Sequence, residues 1–301
     1  MKSSKLKGHL AMLSANTCWG LMSPVAKLVM SAGVVTPLLM THFRVMGAAL
    51  LFWLLSAFTK RERVGRRDLL KLAGAAVLGI LVNQGSFIFG VGFSSPGEAS
   101  IITTTMPMWV MVLAFFLLHE PITLKKAGGI VLGAAGALIL VLSNTSHTTA
   151  RGANPMLGDA LVLLAQLSYA LYLTLFRHFI RRYSLVTLMK WMFTFATLLL
   201  SPFSLSSLLS AEWSQISWTQ WGGVGYVVLF GTFVGYICIM VGQKTLRPTL
   251  VGMYNYVQPI VASLVGVCLG LDRFTPVKVL AVVLIFSGVY LVAISKAAKA
   301  S

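Results

Sequence analysis

Ten apolar runs of roughly bilayer length, separated by short charged or Gly/Pro breaks, leave this chain few folds to adopt. They span 9–31, 37–58, 69–92, 97–118, 124–143, 157–176, 185–206, 221–242, 249–270 and 276–295. A helix needs about 20 mostly apolar residues to cross the hydrocarbon. Inside lipid, every backbone N–H and C=O must be bonded within the protein, which a helix does along its own length. Ten such helices use most of the 301 residues and leave no room for a sizeable soluble domain. Composition agrees, since 10% of the residues are charged, against about 25% in a soluble domain. The expected fold is an all-α integral membrane protein of ten transmembrane helices. The end of the seventh run is blurred by Pro202 and the serines that follow it.

The formal charge of +17 could suggest nucleic acid, but its distribution points elsewhere. With the N-terminus inside, 18 of the 24 Lys and Arg fall in inner segments, and the outer segments hold Arg151, Arg273 and Lys278. Basic residues are retained on the cytoplasmic side of a membrane, so both termini are expected there. The charge is an orientation signal rather than a nucleic-acid footprint. Cys18, Cys238 and Cys268 lie in apolar runs without metal-ligand spacing and read as small core residues.

The chain also repeats itself. Residues 8–19 align with 158–169 at an offset of 150, pairing Asn16 with Gln166 and Trp19 with Tyr169. An ungapped offset of 152 pairs Pro96 with Pro248, Pro107 with Pro259, Glu120 with Asp272 and Gly136 with Gly288. Shared apolar composition does not produce matched prolines, acids and glycines at constant offset. The copies divide the chain into 1–150 and 151–301, five helices each. Five is odd, so the second copy enters the membrane upside down. Inverted repeats of this kind permit two related conformations that open a midplane site to either side.

The repeat carries a family resemblance. Trp19-Gly-Leu-Met-Ser-Pro-Val-Ala-Lys27 resembles the opening of the drug/metabolite transporter superfamily, EamA branch. Residues 99–123, with Pro107 in mid-helix and Leu117-Leu-His-Glu-Pro-Ile-Thr123 at the end, are similar to that family's fourth-helix signature. His119 stands where the family usually has glycine, and the second copy also departs at Leu271-Asp272. The Gly-rich helix with Gly128, Gly129, Gly133 and Gly136 fits as well. The resemblance covers essentially the whole chain. It implies a ten-helix carrier of the bacterial cytoplasmic (inner) membrane that exports amino acids or related metabolites by alternating access.

Polar side chains facing lipid are costly, so they should turn inward. The first helix offers Asn16, Trp19 and Lys27, and its repeat partner offers Gln166 and Tyr169. The third offers Asn83, Gln84 and Phe87, the fourth Thr103 to Thr105, and the ninth Tyr254, Asn255 and Gln258. Together they suit a substrate-binding cavity with amides and hydroxyls for a zwitterion and aromatic walls for its side chain. Singly, each also suits a hydrogen bond between helices. Arg44 lies about 10 Å deep in the second helix, where it either attracts a carboxylate or supports helix packing. Lys190 lies at similar depth in the seventh. Pro107 and Pro259 each free a backbone carbonyl and are candidate hinges or packing kinks.

No Asp or Glu lies in the interior of a run; Glu98 and Asp159 sit at outer helix starts, and Glu98 is the nearest candidate for a proton relay. His119-Glu120 lacks the second histidine of a zinc helix, position 123 being Thr, and no phosphate loop is present. The partners implied are a small-molecule substrate and the lipid bilayer, with no metal, cofactor or nucleic acid. The reading is a transporter and not an enzyme; a lipid flippase or lipid-modifying membrane protein is the alternative. Oligomeric state does not follow from the sequence.

Overall fold

A computed structural model describes residues 2–31, 33–93, 99, 102–142, 154–268 and 275–295, all of them helical or in connecting turns. Pro96, Glu98, Arg151, Leu271, Asp272 and Arg273 lie outside the described residues. Each apolar run is helical over most of its described length. The elements are α1 (Lys2–Ser31), α2 (Pro37–Ala57), α3 (Arg66–Phe93), α4 (Met106–Leu118) and α5 (Leu124–Leu142). They continue with α6 (Pro155–Leu175), α7 (Leu185–Leu209), α8 (Trp218–Thr245), α9 (Pro248–Met253, Tyr254–Tyr256 and Val257–Cys268) and α10 (Pro276–Ile294). Among the described residues, α2, α3, α6, α7 and α8 are long and apolar enough to cross a membrane. Many of the largest exposed side chains are apolar, including Leu50, Leu54, Phe116, Leu198 and Phe203, as a lipid-facing surface requires.

Local chemistry sets the helix starts. Thr36 accepts a hydrogen bond from the Leu39 amide, and Pro37 occupies the first turn of α2, where its missing N–H costs nothing. Ser184 caps α7 through Thr187, and Ser217 with Gln220 forms a capping box on α8. The blurred end of α7 resolves into helix: it runs through Pro202 to Leu209.

The helices pair in a repeating pattern. The most extensive contacts are α5 on α10, α1 on α8, α3 on α6 and α2 on α7, followed by α3 on α7, α1 on α9, α4 on α6 and α2 on α8. Exchanging the first five helices with the last five maps each of these pairings onto itself or onto another. The α5–α10 contact is close because its seam is glycine: a Cβ on Gly129 would stand 2.7 Å from the Gly288 carbonyl oxygen, and one on Gly136 2.6 Å from that of Ala281.

Four breaks in helix regularity, in two pairs, follow the same pattern. The π turn Val77–Val82 inside α3 has its counterpart in Leu229–Val234 inside α8, 152 residues on. The turn at 104–105 before α4 corresponds to the 3-10 turn Tyr254–Tyr256 within α9. Each precedes a matched proline, Pro107 or Pro259. The expected mid-helix prolines thus sit in the first turn of a restarted helix, which tolerates them.

At one end of the bundle a buried ion cluster joins the two halves. α4 ends on His119 with φ 50, in the left-handed region, and the Glu120 amide bonds back to Ala114 O at 3.0 Å. This reversal turns Glu120 inward, where it is 1% exposed. Its carboxylate accepts from Lys126 Nζ at 3.0 Å, Arg177 at 3.1 Å and Thr249 Oγ1 at 3.3 Å. The family's usual glycine at position 119 is what this φ favours.

Candidate functional site

A cavity of about 50 Å³ lies where α1, α2, α3, the turn before α4, α6, α8 and α9 converge. From the first half it is lined by Trp19, Met22, Arg44, Asn83, Gln84, Phe87 and Thr103. From the second it is lined by Gln166, Tyr169, Tyr236, Asn255 and Gln258. Several of these are repeat partners: Trp19 and Tyr169 at offset 150, and Gln84 with Tyr236, and Thr103 with Asn255, at offset 152.

The π turns do not line the cavity but hold two of its rings in place. Bonding five residues back shifts the ladder and lets a carbonyl meet a neighbouring side chain. Trp19 Nε1 donates to Gly231 O at 2.9 Å, and Tyr236 Oη donates to Gly79 O at 3.1 Å. Gly79 and Gly231 are the third residues of the two π turns. The adjoining Leu78 O accepts from Ser168 at 2.7 Å, and Asn83 Nδ2 donates to Ala165 O at 2.9 Å. Away from water these bonds matter, because an unmet amide or hydroxyl costs a few kcal/mol.

Arg44 is the single fixed charge among the described lining residues. It is 2% exposed, and its Nε donates to Thr232 Oγ1 at 3.1 Å. Thr232, on the second π turn, passes its own proton to Val227 O at 2.8 Å. The guanidinium Nη1 is buried without a hydrogen-bond partner, as are both amide atoms of Gln84. Tyr169 Oη accepts from Gln243 Nε2 at 2.8 Å, closing one end of the cavity with Tyr172 beneath it.

The other candidates divide plainly. Asn16 is fully buried behind the wall, its Oδ1 accepting from Gln258 Nε2 at 3.0 Å, so it orients a lining residue without lining the cavity. Lys27 turns away: its Nζ donates to the carbonyls of Val91 and Gly92, both at 3.0 Å, at the C-terminal end of α3. Tyr254 points instead at His9, Oη to Nδ1 at 2.6 Å. Thr105 bonds its own helix, to Ile102 O at 2.7 Å. Lys190 lies over the Trp53 ring, 4.7 Å from its centroid and off the cavity. Met22 and Tyr236 line the cavity without having been singled out. Tyr236 was within reach, since it is Gln84 moved on by 152.

Comparison with known proteins gives the geometry its context. The sequence profile of the EamA-like transporter family matches this chain twice, over residues 6–142 and 156–294. This chain belongs to that family. The EamA assignment makes it a membrane transporter rather than an enzyme, and the double match follows the internal repeat. It is 25% identical over 289 residues to an uncharacterized transporter of Archaeoglobus fulgidus, covering 95% of this chain and 99% of that one. It is 28% identical over 268 residues to the inner membrane transporter YedA of Escherichia coli, covering 86% and 82%. A solved crystal structure of a protein shares the fold, with TM-score 0.73 and 18% identity over 97% of this chain and 96% of the other.

Proposed function

We propose that this EamA transporter is a secondary carrier exporting small organic metabolites, amino acids foremost, across the bacterial cytoplasmic membrane by alternating access. Its two five-helix halves, 1–150 and 151–301, act as inverted repeats, with both termini in the cytoplasm. The cavity carries this reading: it lies on the seam between the halves and draws repeat-related side chains from both. The exchange pattern of helix pairings and the matched π turns support the inversion. Amides from Asn83, Gln84, Gln166, Asn255 and Gln258 suit a polar head, and the Trp19, Phe87, Tyr169 and Tyr236 rings suit an apolar body. Pro107 and Pro259 are the hinges, each beginning a helix directly after an irregular turn.

Counterflow in proteoliposomes, with labelled amino acids, sugars and lipid head-group analogues, tests this. Exchange of one amino-acid group, lost in Gln258→Ala, is the expected result. Movement of a labelled lipid with no soluble solute would replace it with the flippase reading.

A further inference from the structure

The charges around the cavity are one-sided. Arg44 brings a guanidinium that is 2% exposed, with Nη1 unpartnered, and no Asp or Glu lines the cavity among the described residues. The Gln84 amide, also 2% exposed, approaches the Tyr236 hydroxyl without forming a well-aligned hydrogen bond, and that hydroxyl donates to Gly79 O and lies near Arg44. A buried cation without a counter-charge and a buried amide without partners are each expensive to hold. Both costs are removed by one ligand group that accepts two hydrogen bonds and carries a single negative charge. A carboxylate does this, taking one N–H from Arg44 and one from Gln84. A phosphate monoester would bring a second charge that no other lining cation meets.

We infer that the cavity recognises its solute through a carboxylate held by Arg44 and Gln84, that an amino group is dispensable, and that monocarboxylates with an apolar or aromatic body are therefore substrates alongside amino acids. The inference rests on the carrier reading above for transport, though not for binding. Among the described residues an ammonium group finds no lining carboxylate to pair with, so it adds little to affinity. The body of the solute meets Trp19, Met22, Phe87, Tyr169 and Tyr236, which favour an aryl group.

Calorimetric binding to the purified full chain, using phenylalanine, 3-phenylpropanoate, phenethylamine and phenyl phosphate, tests it. The expected result is that phenylpropanoate binds within about threefold of phenylalanine or tighter, while phenethylamine and phenyl phosphate bind at least about tenfold more weakly. Arg44→Gln should weaken phenylpropanoate about thirtyfold. Gln84→Leu, which keeps the cation, should weaken it about fivefold and covers the case in which the Arg44 variant does not fold. Phenethylamine binding as well as phenylalanine, phenylpropanoate failing to bind, or phenyl phosphate binding most tightly would each overturn the inference. Phenylpropanoate binding without counterflow would sink the carrier reading and leave this one standing. Counterflow of phenethylamine would do the reverse.

Discussion

Gly79 and Gly231 stand 152 residues apart at the third position of two six-residue π turns, and each carbonyl accepts a hydrogen bond from a ring lining the central cavity. Gly79 belongs to the first half and takes its bond from Tyr236 of the second; Gly231 belongs to the second and takes its bond from Trp19 of the first. The two halves are thereby cross-linked at the cavity through equivalent backbone atoms. On the alternating-access proposal, relative movement of the halves would act on these two bonds. Tyr236→Phe removes the hydroxyl and keeps the ring. It should cut the initial counterflow rate about fivefold to twentyfold while leaving the detergent melting temperature within a few degrees. A rate equal to wild type would show that the link to Gly79 has no part in turnover.

The Glu120 cluster should matter more for stability than for the site. Glu120→Gln is nearly isosteric but leaves Lys126, 1% exposed, without its countercharge. Stranding one buried partner of an ion pair costs about 3–5 kcal/mol. Denaturant titration in mixed micelles should show a loss of that order, with part of it recovered in the Glu120→Leu/Lys126→Met pair, which still leaves Arg177 without its carboxylate. Equal stability of Glu120→Gln and wild type would mean that the cluster contributes nothing net.

His119 carries the opposite prediction. At φ 50 a non-glycine residue holds its backbone against its own Cβ. His119→Gly should stabilise the chain by about 0.5–1 kcal/mol in the same titration. A destabilised variant would reveal a side-chain role for the histidine that outweighs the backbone relief.

Glu62, in the connection between α2 and α3, makes one seal sensitive to acid. Burial pushes its carboxyl upward, but the Ser184 amide at 2.9 Å, the Ser184 and Thr187 side chains and nearby Lys244 outweigh that and hold it below the ordinary carboxylate value. A carboxylate with a depressed folded-state pKa contributes stability above its unfolded value of about 4.3, and loses it as pH falls through the folded value. The difference in melting temperature between wild type and Glu62→Gln should therefore be present at pH 7 and shrink below about pH 4. A difference independent of pH would assign the effect to something other than this charge.

Much of the architecture was legible in the sequence because the bilayer enforces it. Apolar runs of bilayer length become helices through backbone hydrogen bonding alone, so α2, α3, α6, α7 and α8 fall within a few residues of their expected spans. Pro107 and Pro259, and Gly136 and Gly288, recur at constant offset where local structure needs a missing donor or a missing side chain. Ten expected residues meet around one cavity, most of them polar groups that turn away from lipid.

What the sequence left open was which inward-facing polar atoms would be spent on other helices. Asn16, Lys27 and Tyr254 obey the same inward rule as Gln84, yet tertiary neighbours consume them: Gln258 takes Asn16, the end of α3 takes Lys27, and His9 takes Tyr254. Arg44 Nη1 and the Gln84 amide are left over because, among the described residues, nothing packed against those atoms completes a hydrogen bond with them. Such matching depends on separations of about 3 Å between residues up to 245 positions apart. Hydropathy and spacing determine the helices and their symmetry; only the packed structure decides which polar atoms are left over.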